Sequence, residues 1–502
     1  MSLEQKIEEV TANILDLYRA DDLPWVVGYS GGKDSTTVLQ LVWNAVQSLP
    51  KSERTKNIHV ISTDTLVENP IVAKWVELSL KKIDSASNEQ GLGITPHRLV
   101  PALEDRFWVN LIGKGYPAPR PMFRWCTSRL KINASTEFIR NVATERGEAI
   151  LFLGTRSSES SARKRSMERL KGSTRELLSR NSDPRLDRVW VFPPISDWSS
   201  DEVWEYLIEN ENPWSHSNTD LFHLYRGATA DAECPLVVDT STPSCGDSRF
   251  GCYVCTMVDK DKSMSAMIQN NDDKKWMIPL ANFRDQKLDT SDDFKHRDFR
   301  RMDRKITLFE RRGEPALIHG PYKQSYREEL LSGLLRAQAE IQENAPKGLE
   351  NFELISLEEL EMIRSIWLDQ KHEIEDSVPR IYKEVTGKRY PNLDAEDRPL
   401  FSLEDLEILK GIAKSTDDPD NIHYQMLREM LHIEQSYRGA YRRVGIFDAL
   451  ETTLRQHAFL NGQEALEFLL EQKVPSLKAE EALSEDLFQV AKVRESIKEE
   501  AP

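Results

Sequence analysis

One short segment constrains this chain more than any other: Val26-Val27-Gly28-Tyr29-Ser30-Gly31-Gly32-Lys33-Asp34-Ser35. The apolar residues 25–28 predict a buried strand, and the run 36–47 predicts a helix that begins almost at once. A glycine-containing turn between the two aims several backbone N–H groups and the positive helix end at one point, which suits a phosphate. Gly31 and Gly32 allow close approach of a ligand because no Cβ stands in the way. Gly28 ends the strand, Ser30 and Ser35 add hydroxyls, Lys33 adds a point charge and Asp34 a carboxylate. The spacing is not the G-x-x-x-x-G-K-[ST] of a Walker A loop.

The segments that follow extend the same pattern. Residues 58–62 predict the next parallel strand, which runs into Thr63-Asp64-Thr65-Leu66-Val67-Glu68-Asn69-Pro70. Ligands in open α/β sheets bind beyond the carboxyl ends of strands, so Asp64 is expected beside the glycine turn, holding Mg²⁺ or a ribose hydroxyl. The alternative is that Asp64 caps the helix beginning near Pro70. Further strands at 94–99, 149–153 and 189–192, alternating with helices, predict a doubly wound parallel sheet. Gly154-Thr155-Arg156 and the stretch up to Arg163 follow the strand at 149–153 and so reach the same rim. There Arg156 and Arg163 can grip phosphate oxygens in bidentate fashion, unless they lie on a solvated loop. The segment 192–204 reads as architectural, with a helix capped by Ser199 or Ser200.

At 502 residues the chain exceeds a single core, and 39% hydrophobic residues with 11 Trp and 17 Phe supply more than one. Three regions are expected: residues 1–215 with the phosphate loop, a cysteine-rich stretch 216–270, and a helical part 271–502. From about 272 no strand pattern is visible; amphipathic helices are predicted at 325–343, 357–367, 403–412, 422–437 and 449–471. The sequence has no run of eighteen apolar residues and its first residues do not resemble a signal peptide, so a soluble, cytoplasmic protein without a membrane contact is expected. The formal net charge of −16 argues against unaided wrapping of nucleic acid. Charge is uneven, however, with basic runs at 156–188 and 295–312. The helical part is expected to dock partner proteins, with Arg300, Arg301 and Arg304 of the second run facing DNA.

Five cysteines in a chain of this length do not form a disulfide scaffold. Gly251-Cys252-Tyr253-Val254-Cys255 is a C-x-x-C turn, and Cys234 and Cys245 stand just upstream. Four sulfurs converging there suit tetrahedral zinc or a four-iron four-sulfur cluster. Cys126 lies between Arg124 and Arg129 before a helix, which predicts a lowered pKa and a partly ionised thiol. It is expected to be a nucleophile, a persulfide carrier or a further ligand, or else a core cysteine.

Residues 30–35, 62–68, 124–131, 154–163 and 194–204 together resemble the phosphoadenosine phosphosulfate reductase branch of the PP-loop ATP pyrophosphatases. Within that branch, residues 124–131 and 248–256 with the long helical extension resemble the DndC family of bacterial DNA phosphorothioation, with the single-strand SspD type close to it. The resemblance implies an adenine nucleotide α-hydrolase-like fold that binds ATP and Mg²⁺ at Gly28, Ser30–Ser35, Asp64 and Gly154. It implies a chemistry in which a DNA backbone oxygen attacks the α-phosphorus, pyrophosphate leaves, and sulfur then displaces AMP. Lys33, Asp34, Cys126, Arg156 and Arg163 are the expected catalytic residues, and Cys234, Cys245, Cys252 and Cys255 the expected cluster ligands, with zinc as the alternative. DNA, other modification proteins and a cysteine desulfurase are the implied partners. Cluster-bearing reductases of this branch carry adjacent cysteines where this chain has Trp125-Cys126. Either Cys126 therefore joins the ligands or it is the reactive thiol. An adenylyl-sulfate reductase, a transfer-RNA thiolase and a non-catalytic ATP-binding scaffold are the competing expectations.

Overall fold

The computed structural model describes residues 1–157, 177–181, 183–228, 250–311, 314–347, 349, 352–391, 403–414, 418–438 and 441–471. The chain gathers into two compact units. The first comprises Met1–Asn110, Ala118–Ser291 and Gly333–Glu359; the second comprises Leu111–Pro117, Asp292–Ser332 and Leu360–Pro502. The helical part expected after 271 thus contributes Gly333–Glu359 to the first unit.

A six-stranded sheet organises the first unit: β1 (Trp25–Gly28), β2 (Ile58–Thr63), β3 (Ile94–Leu99), β4 (Ala149–Phe152), β5 (Ser179–Arg180) and β6 (Val189–Phe192). Their spatial order is β3-β2-β1-β4-β6-β5, and every pairing is parallel except β5 with β6. This is the doubly wound parallel sheet that the alternation of strands and helices predicts. Both faces are covered, which explains why the central strands read as unbroken apolar runs. Trp25 and Val27 of β1 join Ile58, Val60, Ile150 and Phe152 in one core, against helices α1 (Leu3–Ala20) and α2 (Lys33–Ser48). Val26 points the other way, with Ile61, Leu151 and Val189, into a second core closed by Ile139, Val142 and Ala143 of helix α4 (Asn133–Arg146). Helix α3 (Pro70–Gln90) starts from Asn69, whose side chain accepts from the Ile71 N–H, with Pro70 in its first turn. Asp64 is not that cap. Edge strand β3 carries Pro96, where no ladder donor is required.

The chain reverses its winding direction between β1 and β4, so the turns after these two strands open side by side at one end of the sheet. That placement puts residues 29–35 next to residues 153–157 before any side chain is considered.

The second unit departs from expectation in three places. Leu308–Arg311 and Glu314–Leu317 pair as an antiparallel ribbon, although no strand was read beyond 272. Only four residues long and interrupted by Pro315, these strands carry too little alternation to stand out in sequence. The helix expected over 449–471 is broken: Ile446–Gln456 ends at His457, and helix resumes over 462–471. Asn461 forces the restart, since its side chain accepts from the N–H groups of Gln463 and Glu464 at 3.0 and 2.9 Å. Of the arginines expected to face DNA, Arg300 and Arg304 are taken up by carboxylates, while Arg301 is exposed. Arg300 is buried and paired with Asp298 at 2.8 Å, and Arg304 pairs with Glu429. The carboxylate on Arg300 comes from within the run, two residues away, and the one on Arg304 from Glu429, far along the chain. Among the described residues no helix is long and apolar enough to cross a membrane.

Candidate nucleotide site and cysteine pocket

The turn after β1 is built to leave its amides open. Tyr29 continues the ladder by donating its N–H to the Ile61 carbonyl at 2.8 Å, and its hydroxyl bonds Ser79 at 2.5 Å. The chain then reverses at Gly31, where φ is +73° and a Cβ would lie 2.6 Å from Val76 Cγ2. Both facts require glycine. Ser35 Oγ locks the turn, accepting from the Ser30 N–H at 3.2 Å and donating to the Gly32 carbonyl at 3.0 Å. Helix α2 begins after Gly32, and no side chain caps it. Its first N–H groups lack intrahelical acceptors, and the helix dipole favours an anion in front of them.

Charged groups surround this opening. Arg156, only 5% exposed, donates from Nε to Asp34 Oδ1 at 2.7 Å, and Lys33 Nζ approaches Asp34 Oδ2 at 3.3 Å. The turn after β4 meets the helix so closely that a Cβ on Gly154 would stand 2.9 Å from the Asp34 carbonyl carbon. Gly154 is therefore needed for close backbone approach, the reason its place on the rim matters. Lys33, Asp34, Ser30, Ser35, Gly28, Gly31, Gly32, Gly154 and Arg156 are thus brought to one mouth, while Arg163 lies outside the described residues.

Asp64 sits at the end of β2 with both oxygens engaged. Oδ1 accepts from the Leu66 N–H at 2.8 Å, and Oδ2 accepts from Arg98 at 3.0 and 2.5 Å. Sequence reading missed Arg98, and it missed Tyr225, whose hydroxyl is 3.5 Å from the Lys33 N–H and whose ring lies 5.8 Å under Lys33 Nζ. Tyr225 comes from helix Asn218–Gly227, inside the stretch 216–270 expected to be cysteine-rich, so only the fold reveals it.

A second pocket opens beside the turn after β2. Residues 251–253 pair with residues 67–69: Tyr253 N–H donates to Val67 O at 3.0 Å, and Asn69 N–H to Gly251 O at 3.3 Å. Cys252 is thereby held against Thr65 Oγ1 at 3.4 Å and Glu68 Oε1 at 3.8 Å. Lys131 reaches Glu68 at 3.6 Å. Arg284 fastens the far side, donating to the Cys255 carbonyl at 3.0 and 2.9 Å and to the Asp259 carbonyl at 2.7 Å.

The thiols of Cys252 and Cys126 are held in the protonated form. Burial, with Glu68 beside it, pushes Cys252 up to about 12. Burial also raises Cys126, and Cys255 adds to the shift. This corrects the lowered pKa expected for Cys126. Arg129 is occupied by Asp105 at 2.5 Å, so it no longer favours a thiolate. Burial works against the Lys131 ammonium, yet the Glu68 carboxylate holds it above its ordinary value. Cys126, Cys252 and Cys255 are free cysteines. Among the described residues no three His, Cys, Asp or Glu side chains are gathered closely enough to hold a metal ion. Cys234 and Cys245, the other two expected ligands, lie outside the described residues.

A mostly parallel six-stranded sheet with an uncapped helix at its switch point defines an adenine nucleotide α-hydrolase-like domain of the PP-loop type. Residues 24–257 match the model of the phosphoadenosine phosphosulfate reductase domain. An uncharacterised protein of Methanocaldococcus jannaschii is 27% identical over 202 residues, which is 40% of this chain and 35% of that protein. The chain therefore spans about a third of the curated relative it matches. Among solved structures, FMN adenylyltransferase of Candida glabrata with FAD and inorganic pyrophosphate aligns at 12% identity over 54% of this chain and 75% of that one, with a TM-score of 0.27. The U34-tRNA thiolase NcsA of Methanococcus maripaludis, with its [4Fe-4S] cluster, aligns at 17% identity over 43% and 71%, also with a TM-score of 0.27.

Proposed function

We propose that the chain is an ATP pyrophosphatase that adenylates an acceptor oxygen and prepares it for replacement by sulfur. The observation that carries this reading is the joint placement of the open α2 amides, Lys33 and the Asp34–Arg156 pair at one mouth. ATP would lay its phosphates against the amides of residues 31–35. Lys33 and Arg156 would spread the charge that develops as the bond between the α- and β-phosphates breaks. Acceptor oxygen attacks the α-phosphorus, pyrophosphate leaves, and AMP becomes the leaving group for a sulfur nucleophile. The chain's share of this step is positioning and charge neutralisation.

Asp34 and Asp64 each already accept from a cation, so Mg²⁺ fits as a companion of the triphosphate rather than as an ion held beforehand. When bound, Mg²⁺ offsets phosphate charge. The soft thiols of Cys252 and Cys255 suit an iron–sulfur cluster or zinc together with Cys234 and Cys245, since the described residues alone do not gather three ligands. A bound cluster would supply a site for handling sulfur; Lys131 and Glu68 would orient what approaches it.

The acceptor we propose is a DNA backbone oxygen, with sulfur delivered by a cysteine desulfurase. Support for this comes from residues 124–131 and 248–256 and the helical extension. The test is product analysis of the full chain with ATP and Mg²⁺, in the presence of duplex DNA, transfer RNA or adenylyl sulfate in turn. AMP and pyrophosphate, stimulated by DNA and abolished in Lys33→Ala, are expected. ADP as the product, or equal rates in wild type and Lys33→Ala, overturns the pyrophosphatase reading. Stimulation by transfer RNA or adenylyl sulfate instead of DNA overturns the acceptor alone. Metal analysis and a visible spectrum of anaerobically purified protein, compared with Cys252→Ser, test the cluster; equal metal content would sink it.

A further inference from the structure

The second unit holds a group of buried cations that nucleotide cleavage does not use. Four arginines there each have a carboxylate. Arg300 pairs with Asp298 at 2.8 Å, Arg428 with Glu375 at 2.8 Å, Arg304 with Glu429, and Arg327 with both oxygens of Glu373. Lys371 is the fifth cation, half-buried, and its ammonium has no hydrogen bond or ion pair among the described residues.

The backbone around it is bent. Lys371 ends the π-helical turn Ile366–Gln370, with its N–H on the Ile366 carbonyl at 3.1 Å. His372 follows at φ +56°, a left-handed conformation that strains a non-glycine residue. A π turn beside a strained residue marks a place where the chain is held to aim side chains. The His372 ring stacks on His432 with centroids 3.8 Å apart, and its Nδ1 is buried without a partner. Arg428 is 4% exposed, and its Nε is likewise buried without a partner. Arg304 links these groups, since its charge acts on both Lys371 and His372.

An ammonium taken partly out of water with no carboxylate in ion-pair contact is costly, and so are buried donors without acceptors. A tetrahedral oxyanion seated among these groups would accept from the orphan donors and offset the ammonium. We infer that Lys371, His372 and Arg428, with Arg304 beside them, form a binding site for a phosphate group in the second unit. The phosphate is either a free one or part of a nucleic-acid backbone, and the ligand chemistry is the same.

Binding should depend on pH through the charge of Lys371. Burial, with Arg327 and Arg304 as like charges and Glu373 and Asp298 as opposite ones, brings that ammonium down to about 7. His372, facing His432, Arg304, Arg428 and Asp369, stays neutral above about 4 and donates as its Nδ1–H tautomer. Phosphate binding therefore weakens as pH rises through the Lys371 transition.

Titration calorimetry of the full chain with inorganic phosphate tests this at about pH 6 and about pH 8.5. Affinity at the lower pH, at least about tenfold weaker at the higher, is expected from loss of one charge. Lys371→Met should remove the binding at both, with His372→Asn, which tolerates the left-handed backbone, weakening it. Thermal unfolding without phosphate should show Lys371→Met at least as stable as wild type, because an uncompensated charge is gone. No binding heat at the lower pH, or unchanged affinity in Lys371→Met (phosphate resting on the α2 loop instead), overturns the site. A short DNA duplex at low salt serves as the second probe. Weaker duplex binding by Lys371→Met assigns the phosphate to a nucleic-acid backbone, and an unchanged duplex affinity with lost phosphate binding assigns it to a small anion.

Discussion

Arg156 and Asp34, 122 positions apart in sequence, meet through a 2.7 Å bond from Nε to Oδ1, and Lys33 closes on the other carboxylate oxygen at 3.3 Å. The contact joins the two turns that flank the switch point of the sheet. It also fixes the orientation of the first turn of α2. An arriving triphosphate would draw Lys33 and Arg156 toward itself while Asp34 keeps both cations in register.

Replacing Arg156 by Ala should therefore slow pyrophosphate release by about 10²–10³-fold, the usual cost of a preorganised charge donor. Arg156→Lys should not restore the rate, because an ammonium cannot donate to Asp34 and a phosphate as a planar fork does. Steady-state pyrophosphate assays with nucleotide binding measured separately check this. Full rescue by lysine would reduce Arg156 to a point charge.

Gly154→Ala is a smaller change with a structural cause. The added methyl would stand 2.9 Å from the Asp34 carbonyl carbon and 3.0 Å from the Ser35 nitrogen, backbone atoms that cannot swing aside. The turn after β4 and the helix start must separate, costing about 1–3 kcal/mol. Denaturant unfolding should show that loss, and nucleotide affinity should fall with it. Gly91→Ala is the comparison: open space surrounds Gly91, where φ is +62°, so backbone strain alone acts there.

The loop and the sheet were legible because each rests on local signals: an apolar run, two glycines, a helix start. Strand order then follows from connection rules, so Lys33, Asp34, Gly154 and Arg156 could be grouped before any coordinates. What escaped was long-range pairing. Arg98 on Asp64, Arg284 on the Cys255 loop, and Tyr225 over Lys33 lie 34, 29 and 192 positions from their partners. No periodicity announces such contacts. Cys126 shows the same limit, because neighbouring arginines in sequence suggested a thiolate while Asp105 takes Arg129 and burial decides the rest.

Arg284 should matter more to stability than its distance from the nucleotide loop suggests. Its guanidinium donates to the carbonyls of Cys255, Val258 and Asp259. Arg284→Met would leave these acceptors without their donor, and each buried one costs about 1–3 kcal/mol. Unfolding should occur at lower denaturant in that variant. If the cysteine pocket holds metal, its metal content should fall while ATP binding persists. Unchanged unfolding would mean the loop is held by residues 67–69 alone.

The second unit gives a pH signature with a definite sign. Lys371 is held near 7 when folded and returns to an ordinary lysine value of about 10.4 when unfolded. Between those values the unfolded chain binds more protons, so stability rises with pH across that window and the penalty is complete below it. His372 and His457, each brought down to about 4 mainly by burial, act lower: they oppose protonation, and stability falls as pH drops from about 6.5 toward 4. Unfolding curves of wild type from about pH 6 to 10 should therefore show a rise that Lys371→Met abolishes, with the acid-side loss unchanged. Phosphate should shrink the same rise, since a bound oxyanion favours the protonated ammonium. A wild-type curve that is flat over this range, matching Lys371→Met, would mean the ammonium is reached by water and carries no penalty.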